Sequence, residues 1–453
     1  MRSIRKRFRV NSPAPAEAAR VVMVGEGFGG FHGLRRLEKL LGPERACLTL
    51  VAPHDYLLYS PLLPEVATGV LDPRDIAVPL RQTLRRTRTV LGRVTSVDFD
   101  ERTVHVQGDD GDSEIGWDKL ILSPGSVTRQ FDIPGVAENA YGLKTLSEAV
   151  YIRNHVIAQL DAADELPDTP AGRDERKERL TVVAVGAGYT GTEFVAQMQK
   201  WVKGVESRWG SINPDDVRWI LVDLATAVLP ELGPQLGAKA LRVLAARGVE
   251  VKLGVSVESA TPTSVTLTDG SVVGSRTLVW GAGVAPSPLI QTLGLPTEKG
   301  RLVVNADLSV PGLKDVWALG DAAAVPDLAG DPSTPTAPTA QHAQRQGIAV
   351  AHNVAATLGV GQARDYRHKD LGLVADLGGF DGVAKPLGVE LTGPVAKSVA
   401  RGYHLYALPT TAAKVRVATD WLYASVLPTR VVNLNQVRPE DALIAKAQGV
   451  DLY

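Results

Sequence analysis

A chain of 453 residues is long enough for two or three domains with cores of their own. Its 49 basic and 50 acidic residues nearly cancel, which argues against nucleic acid as the main partner. One cysteine, Cys47, excludes a disulfide framework, a Cys-x-x-Cys redox pair and an iron–sulfur cluster, so any electron chemistry must come from an organic cofactor.

Met1 to Val10 carries Arg2, Arg5, Lys6, Arg7 and Arg9 with no apolar run behind them, unlike a secretory signal. A basic arm drawn to anionic lipid and a solubilising tail both fit this pattern. No later run of about 18 apolar residues is present to cross a bilayer as a helix. Val21 to Val24 then predicts a buried parallel strand. It leads directly into Gly25-Glu26-Gly27-Phe28-Gly29-Gly30, and Phe31, Leu34, Leu37 and Leu41 mark one face of a following helix. Strand, Gly-x-Gly-x-x-Gly and helix together form a dinucleotide fingerprint. Gly25 makes the turn, Gly27 admits a pyrophosphate, Gly30 lets helix and strand close, and the loop includes Phe28 and Gly29. Glu26 puts a carboxylate in a loop that receives an anion, so its side chain must point away.

Leu48 to Val51 predicts the second strand, yet Ala52 stands where a ribose-binding acid is common. Pro53 to Gly69 is apolar and proline-punctuated, suited either to packing on a flat ring or to an ordinary buried loop. Val94 to Val106 and Glu114 to Leu122 alternate as strands, and Ser123-Pro124-Gly125 ends the last in a tight turn that approaches a ligand or merely stops the strand. The charged, proline-bearing stretch Asp161 to Arg179 reads as a linker.

The opening pattern then repeats. Thr181 to Val185 predicts a strand, Gly186-Ala187-Gly188-Tyr189-Thr190-Gly191 a second fingerprint, and Phe194, Met198 and Trp201 a helix face. The strand Trp219 to Val222 ends in Asp223, which is either the ribose-binding acid or a strand-end turn residue. As no arginine follows closely, the expected nucleotide is NADH rather than NADPH. Gly281 and Gly283 close the second unit. Val316 to Leu319 returns to a strand ending in Gly320-Asp321, a carboxylate placed to hold the sugar hydroxyls of a flavin or to cap a helix. Ala340 to Gly347 opens a helix whose N-terminus favours an anionic ring, with Gln341, Gln344 and Gln346 able to donate to carbonyl oxygens. His342 reads as structural. Finally, Val395 to Arg430 mixes Tyr403, Tyr406, Trp421, Leu422, Tyr423 and Val426 with Lys397, Arg401, Lys414, Arg416 and Arg430. That composition fits an interfacial membrane segment or a basic-rimmed helix pair in a core or dimer.

The two fingerprints, the returning Gly-Asp strand and the glutamine helix resemble the two-dinucleotide-binding-domain flavoprotein reductases, and within them the type II NADH dehydrogenases. The more specific matches are Pro61-Leu62-Leu63, Val66-Ala67-Thr68-Gly69, Leu143-Lys144-Thr145-Leu146, Ile152-Arg153-Asn154, Gly186 to Glu193, and Ala340-Gln341-x-Ala343-x-x-Gln346-Gly347. The resemblance implies an α/β fold of two Rossmann-like, doubly wound domains, the second inserted in the first. The expected division is a basic arm at 1–19, an FAD domain at 20–160 and 285–375, a linker at 161–180, an NADH domain at 181–284, and a membrane-associating or dimerising region at 376–453. It further implies one tightly held FAD, NADH as donor and quinone as acceptor. The enzyme would be peripheral, often dimeric, pump no protons, and work at the cytoplasmic face of the cell membrane. Glu193 would orient the nicotinamide side, and Gln341 and Gln346 the quinone and flavin edge. Gly25, Gly27, Phe28, Gly29, Gly30, Ser123, Gly125, Gly320, Asp321 and Ala340 would hold FAD, and Gly186, Gly188, Gly191, Asp223, Gly281 and Gly283 would hold NADH. Metal ligands are not expected. A soluble diaphorase with a protein acceptor and a slow-turnover redox sensor are the alternatives, whereas a sulfide:quinone oxidoreductase needs cysteines that Cys47 alone cannot supply.

Overall fold

The computed structural model describes residues 18–109, 111–213 and 215–447; the basic residues Arg2 to Arg9 lie outside these. The chain packs into two compact units, each gathered from separated stretches. One comprises residues up to 57, 79–125 and 286–369, and the other 58–78, 126–285 and 370 onward.

The first unit is built on a five-stranded parallel sheet ordered Val316–Ala318, Lys119–Leu122, Ala19–Val24, Ala46–Ala52 and Thr87–Leu91. Its central strand is apolar on both sides because both faces are covered, and Val21, Val22 and Met23 are buried. Two helices, Phe28–Leu40 and Ala340–Thr357, lie close enough that glycine is required where they meet. A Cβ on Gly347 would strike the carbonyl oxygen of Gly29, and one on Gly33 would come within 3.2 Å of the carbonyl oxygen of Gly347. Arg93–Asp98, Thr103–Gly108 and Gly111–Gly116 form a separate antiparallel sheet.

The second unit repeats the plan with a parallel sheet ordered Ala140–Gly142, Thr277–Trp280, Thr181–Val185, Arg218–Asp223 and Val249–Leu253. Val183, Val185, Ile220, Val222 and Trp280 form its core with the small antiparallel sheet at Val257–Ala260 and Ser264–Leu267. Helix Leu146–Asp164 begins with a capping box in which Thr145 and Glu148 exchange hydrogen bonds.

Three expectations need revising. The stretch 161–180 is folded, ending one helix and holding another at Pro170–Arg179, because Thr169 caps the second and Arg176 donates to the carbonyls of Ala163 and Leu166. Residues 58–78 and 126–160 pack in the second unit rather than in the first, since helix Leu63–Ala67 lies against Leu146–Asp164 and Tyr189–Lys203. The region from 376 is likewise not separate. Strands Val374–Asp376, Gly382–Ala384 and Leu391–Thr392 lead into helices Gly393–Ala407 and Thr411–Val426 within that same unit. Among the described residues, no helix is long and apolar enough to cross a membrane.

Candidate functional site

At the first fingerprint, Gly25 adopts φ +97°, and a Cβ there would collide with the carbonyl oxygen of Ser123. The turn after Lys119–Leu122 is thereby seated on the glycine loop. Gly30 approaches the carbonyl oxygen of Gly25 too closely for any side chain, and a Cβ on Gly29 would come 2.7 Å from Ser123 Oγ. Gly27, by contrast, faces open space, and no side chain caps the helix that follows it. The helix N-terminus therefore turns the positive end of its dipole to that space, where an anion is favoured. Glu26 does not obstruct it, because its carboxylate lies 2.9 Å from His54 Nδ1. Phe28 is half-buried at the start of the helix, and Gly125 takes φ +72° with open space beyond it.

Gly320, at φ +71°, lies on the same loop cluster, with its absent Cβ 3.6 Å from that of Ala343 and 3.8 Å from Ser123 Oγ. Its N–H donates to Gln346 Oε1 at 2.7 Å, and Gln346 Nε2 donates to Thr336 Oγ1 at 3.0 Å. Gln346 is fully buried and acts as a strut fixing the Gly320-Asp321 turn. Gln341 Oε1 lies 3.0 Å from His368 Nε2, and His342 Nδ1 lies 2.8 Å from the Tyr366 hydroxyl, a structural placement. Thr339 caps the glutamine helix by accepting from His342 N, leaving the N–H groups of Ala340 and Gln341 outside that bond. Asp321 is half-buried, and its charge favours the ionised form of Arg301, which burial opposes.

The second fingerprint has the same construction in its own unit. Gly186 takes φ +105° against the carbonyl of Gly281, Gly191 closes on Gly186, and Gly188 precedes the helix Tyr189–Lys203 with open space and no side-chain cap. Gly283, at φ +90°, also borders open space. Asp223 Oδ2 accepts from Ala187 N at 2.5 Å, and Oδ1 accepts from Ala225 N at 2.7 Å. The carboxylate thus ties the strand end to the glycine loop, which leaves each oxygen one lone pair for another donor.

Glu193, one turn into that helix, reaches a group of residues far apart in sequence. Its Oε1 accepts from Asp376 N at 2.7 Å, and Asp376 Oδ1 accepts from Lys397 Nζ at 3.0 Å. Glu65, on the short helix, accepts from Trp421 Nε1, while the Arg401 guanidinium lies 4.8 Å over the Trp421 ring. Burial raises both carboxyls, with Asp376 adding repulsion. Glu65 is pushed up to about 7, and Glu193 goes well above the usual range. Burial also drives His404 down to about 4, leaving a neutral ring 3.1 Å from the Tyr59 hydroxyl. Sequence reasoning missed Glu65, Asp376 and Trp421 as members of one site. An acid flanked by apolar residues and prolines, in the stretch 61–67, was the available signal for the first. Among the described residues no cluster could hold a metal ion.

The sequence pattern of the pyridine nucleotide-disulphide oxidoreductase family matches residues 19–347. The type II NADH:quinone oxidoreductase Ndh of Mycobacterium tuberculosis is 31% identical over 423 residues, covering 90% of this chain and 88% of its own. The Staphylococcus aureus type II NADH:quinone oxidoreductase is 27% identical, with 83% and 92% covered. This chain is a type II NADH:quinone oxidoreductase family member. A structure of NDH2 from Plasmodium falciparum with NADH superposes with TM-score 0.84 at 19% identity, covering 91% of this chain and 99% of the other. The sulfide:quinone oxidoreductase of Aquifex aeolicus shares the fold at TM-score 0.68 and 19% identity, covering 91% and 96%. This type II oxidoreductase, with Cys47 as its one cysteine, has the fold without a cysteine pair.

Proposed function

We propose that the protein oxidises NADH through a bound FAD and reduces a quinone without moving ions across the membrane. The observation that carries this reading is the pair of uncapped glycine cradles, one in each unit, each closed at Gly25–Gly30 and Gly186–Gly191 yet open at Gly27 and Gly188. Within each fingerprint an added Cβ has room only at the glycine where a pyrophosphate would lie, so the residues fit two dinucleotides. Gly25, Gly27, Phe28, Gly29, Gly30, Ser123, Gly125, Gly320, Asp321 and Ala340 would hold FAD, with Gln346 keeping the Gly320-Asp321 turn in place. Gly186, Gly188, Gly191, Asp223, Gly281 and Gly283 would hold NADH, and Gln341 would border the quinone. FAD, when bound, supplies a ring that accepts hydride from NADH and passes two electrons to the quinone. The chain's own task is to fix the two ligands at reacting distance, where effective molarity lowers the barrier. The net reaction consumes NADH, one solvent proton and a quinone and yields NAD+ and a quinol.

The same reading makes the protein peripheral on the cytoplasmic face of the membrane. Helices Gly393–Ala407 and Thr411–Val426 leave Tyr406, Val415, Leu422, Tyr423 and Val426 exposed beside Lys414 and Arg416. Apolar side chains rimmed by positive charge suit an anionic lipid surface. Lys397 and Arg401 do not contribute to that rim, since they turn inward to Asp376 and Trp421. A second copy of the chain is the alternative cover.

Anaerobic absorbance of the purified, FAD-loaded protein tests the reaction. NADH should bleach the flavin bands, and a water-soluble quinone should restore them within the turnover time. Bleaching that only a protein acceptor reverses would move the assignment to a diaphorase. Protein that cannot take up FAD would overturn it.

A further inference from the structure

The group around Glu65 and Glu193 is unusual for the interior of a protein, since three carboxyls face two cations. Glu65 comes from helix Leu63–Ala67, Glu193 from helix Tyr189–Lys203, Asp376 from the end of strand Val374–Asp376, and Lys397 and Arg401 from helix Gly393–Ala407. Glu65 is 5% exposed, and the Asp376 and Lys397 side chains are 9% and 12% exposed. Asp376 and Lys397 form an ion pair at 3.0 Å. Arg401, its guanidinium stacked over Trp421, favours a charged Glu65, whereas the cation that favours a charged Glu193 is Lys397, already paired with Asp376. Glu65 is buried and Glu193 half-buried, so with Lys397 already paired to Asp376 the two glutamates are disfavoured from being ionised together. A proton is therefore favoured to stay in the group at neutral pH. Each glutamate keeps one hydrogen bond to an N–H that favours its charged form, Trp421 Nε1 for Glu65 and the Asp376 amide for Glu193.

We propose that Glu65 is a positioning residue that keeps a proton on Glu193. Trp421 and Arg401 favour the charge on Glu65 against its burial, and once Glu65 ionises, near neutral pH, that charge makes Glu193 the carboxyl that retains the proton. The group then stores one proton, the number that the proposed reaction draws from solvent each turnover; the purpose, though not the proton's location, rests on that reading.

The neighbours of the pair do not compete for this role. His404, on the same helix as Lys397 and Arg401, is neutral against Tyr59, and Tyr403 in turn faces Tyr59. Tyr189, on the Glu193 helix, also faces Glu231, and burial raises its hydroxyl far above any working pH. On helix Leu146–Asp164, Arg153 donates to the carbonyls of Arg430 and Val432, while Glu148 accepts from the amides of Lys144 and Thr145.

Infrared difference spectra of the full-length, FAD-loaded protein between pH 5 and 9 read the proton directly, as the carbonyl stretch of a buried protonated carboxyl. E193Q identifies the Glu193 band by removing it. Glu65→Gln keeps an acceptor for Trp421 but removes the negative neighbour, so the midpoint for loss of the Glu193 band should fall by about one pH unit or more, a tenfold change in proton affinity. Trp421→Phe removes the donor that favours the charge on Glu65 and should move the midpoint the same way, which keeps the test available if Glu65→Gln folds poorly. The pH profile for quinone reduction should shift with the band. A midpoint equal to wild type in the folded variant, or no Glu193 band in the wild type at pH 7, overturns the proposal. Because the infrared titration needs no turnover, an enzyme that failed to reduce quinone would refute the reaction while leaving this result readable.

Discussion

Asp223 divides its carboxylate between two backbone amides, one in its own turn and one in the glycine loop 36 residues earlier. A substitution there must act on both the loop and the ribose. Asp223→Arg should change the ratio of kcat/KM for NADPH over NADH by about tenfold or more, equivalent to ~1.4 kcal/mol. It should also cost about 1–3 kcal/mol of stability, because the Ala187 amide loses its buried acceptor. Steady-state kinetics with both nucleotides and thermal melting separate the two effects. An unchanged nucleotide preference with a lowered Tm would leave Asp223 as a structural tie alone. At this scale the glycines were legible in the sequence, since a tight turn beside a phosphate has few chemical solutions. Gln346 was not, because spacing along a helix says nothing about which amide a side chain will reach. Glu65 was hidden for a related reason: its meaning depends on Trp421, 356 residues away.

At the level of elements, the glycines of one fingerprint have opposite duties, and alanine distinguishes them. Gly30→Ala would force a Cβ into the carbonyl oxygen of Gly25, and Gly347→Ala would do the same against Gly29. Each should lower stability by about 1–3 kcal/mol as packed backbones are pushed apart. Gly27→Ala meets nothing within 4 Å and should melt close to wild type, yet carry less FAD after purification, because its methyl group projects into the pyrophosphate cradle. Melting curves and flavin-to-protein absorbance ratios on the three variants check this, and a fully flavinated Gly27→Ala protein would count against the assignment. Sequence reasoning missed the edge strands Thr87–Leu91, Ala140–Gly142 and Val249–Leu253, but the inner strands of both parallel sheets and both fingerprint helices follow from periodicity and glycine spacing. The helix at Pro170–Arg179 does not, for its residues are almost all polar and it is held by the Thr169 cap and the Arg176 bonds instead of an apolar stripe.

Across the whole molecule, the buried carboxyls make stability depend on pH. Glu65 has a folded value of about 7 against 4.5 for an ordinary glutamate, so the native state holds its proton more tightly than the unfolded chain. Its contribution is fully present below 4.5 and is lost as pH rises through 7. The Tm of Glu65→Gln, compared with wild type, should therefore improve steadily between those values and level off above them. A difference in Tm that does not change with pH would place the Glu65 titration elsewhere. The outer face of the C-terminal helices supports a separate expectation. Leu422→Ser with Val426→Ser removes two side chains that are 60% and 67% exposed, and should weaken flotation with anionic vesicles several-fold. Turnover with a water-soluble quinone should be unaffected, and equal flotation of the double variant would leave the face to a second copy of the chain.

The interleaving of the two units governs the order in which the protein is made. Strand Lys119–Leu122 pairs on one side with Ala19–Val24, synthesised before it, and on the other with Val316–Ala318, synthesised almost two hundred residues later. During that interval the ribosome produces most of the other unit, whose sheet requires no strand beyond Thr277–Trp280. The later-starting sheet can therefore finish first, while the earlier one waits with an apolar edge exposed. In a nascent chain of this design the sheet edge left open longest belongs to its oldest residues rather than its newest.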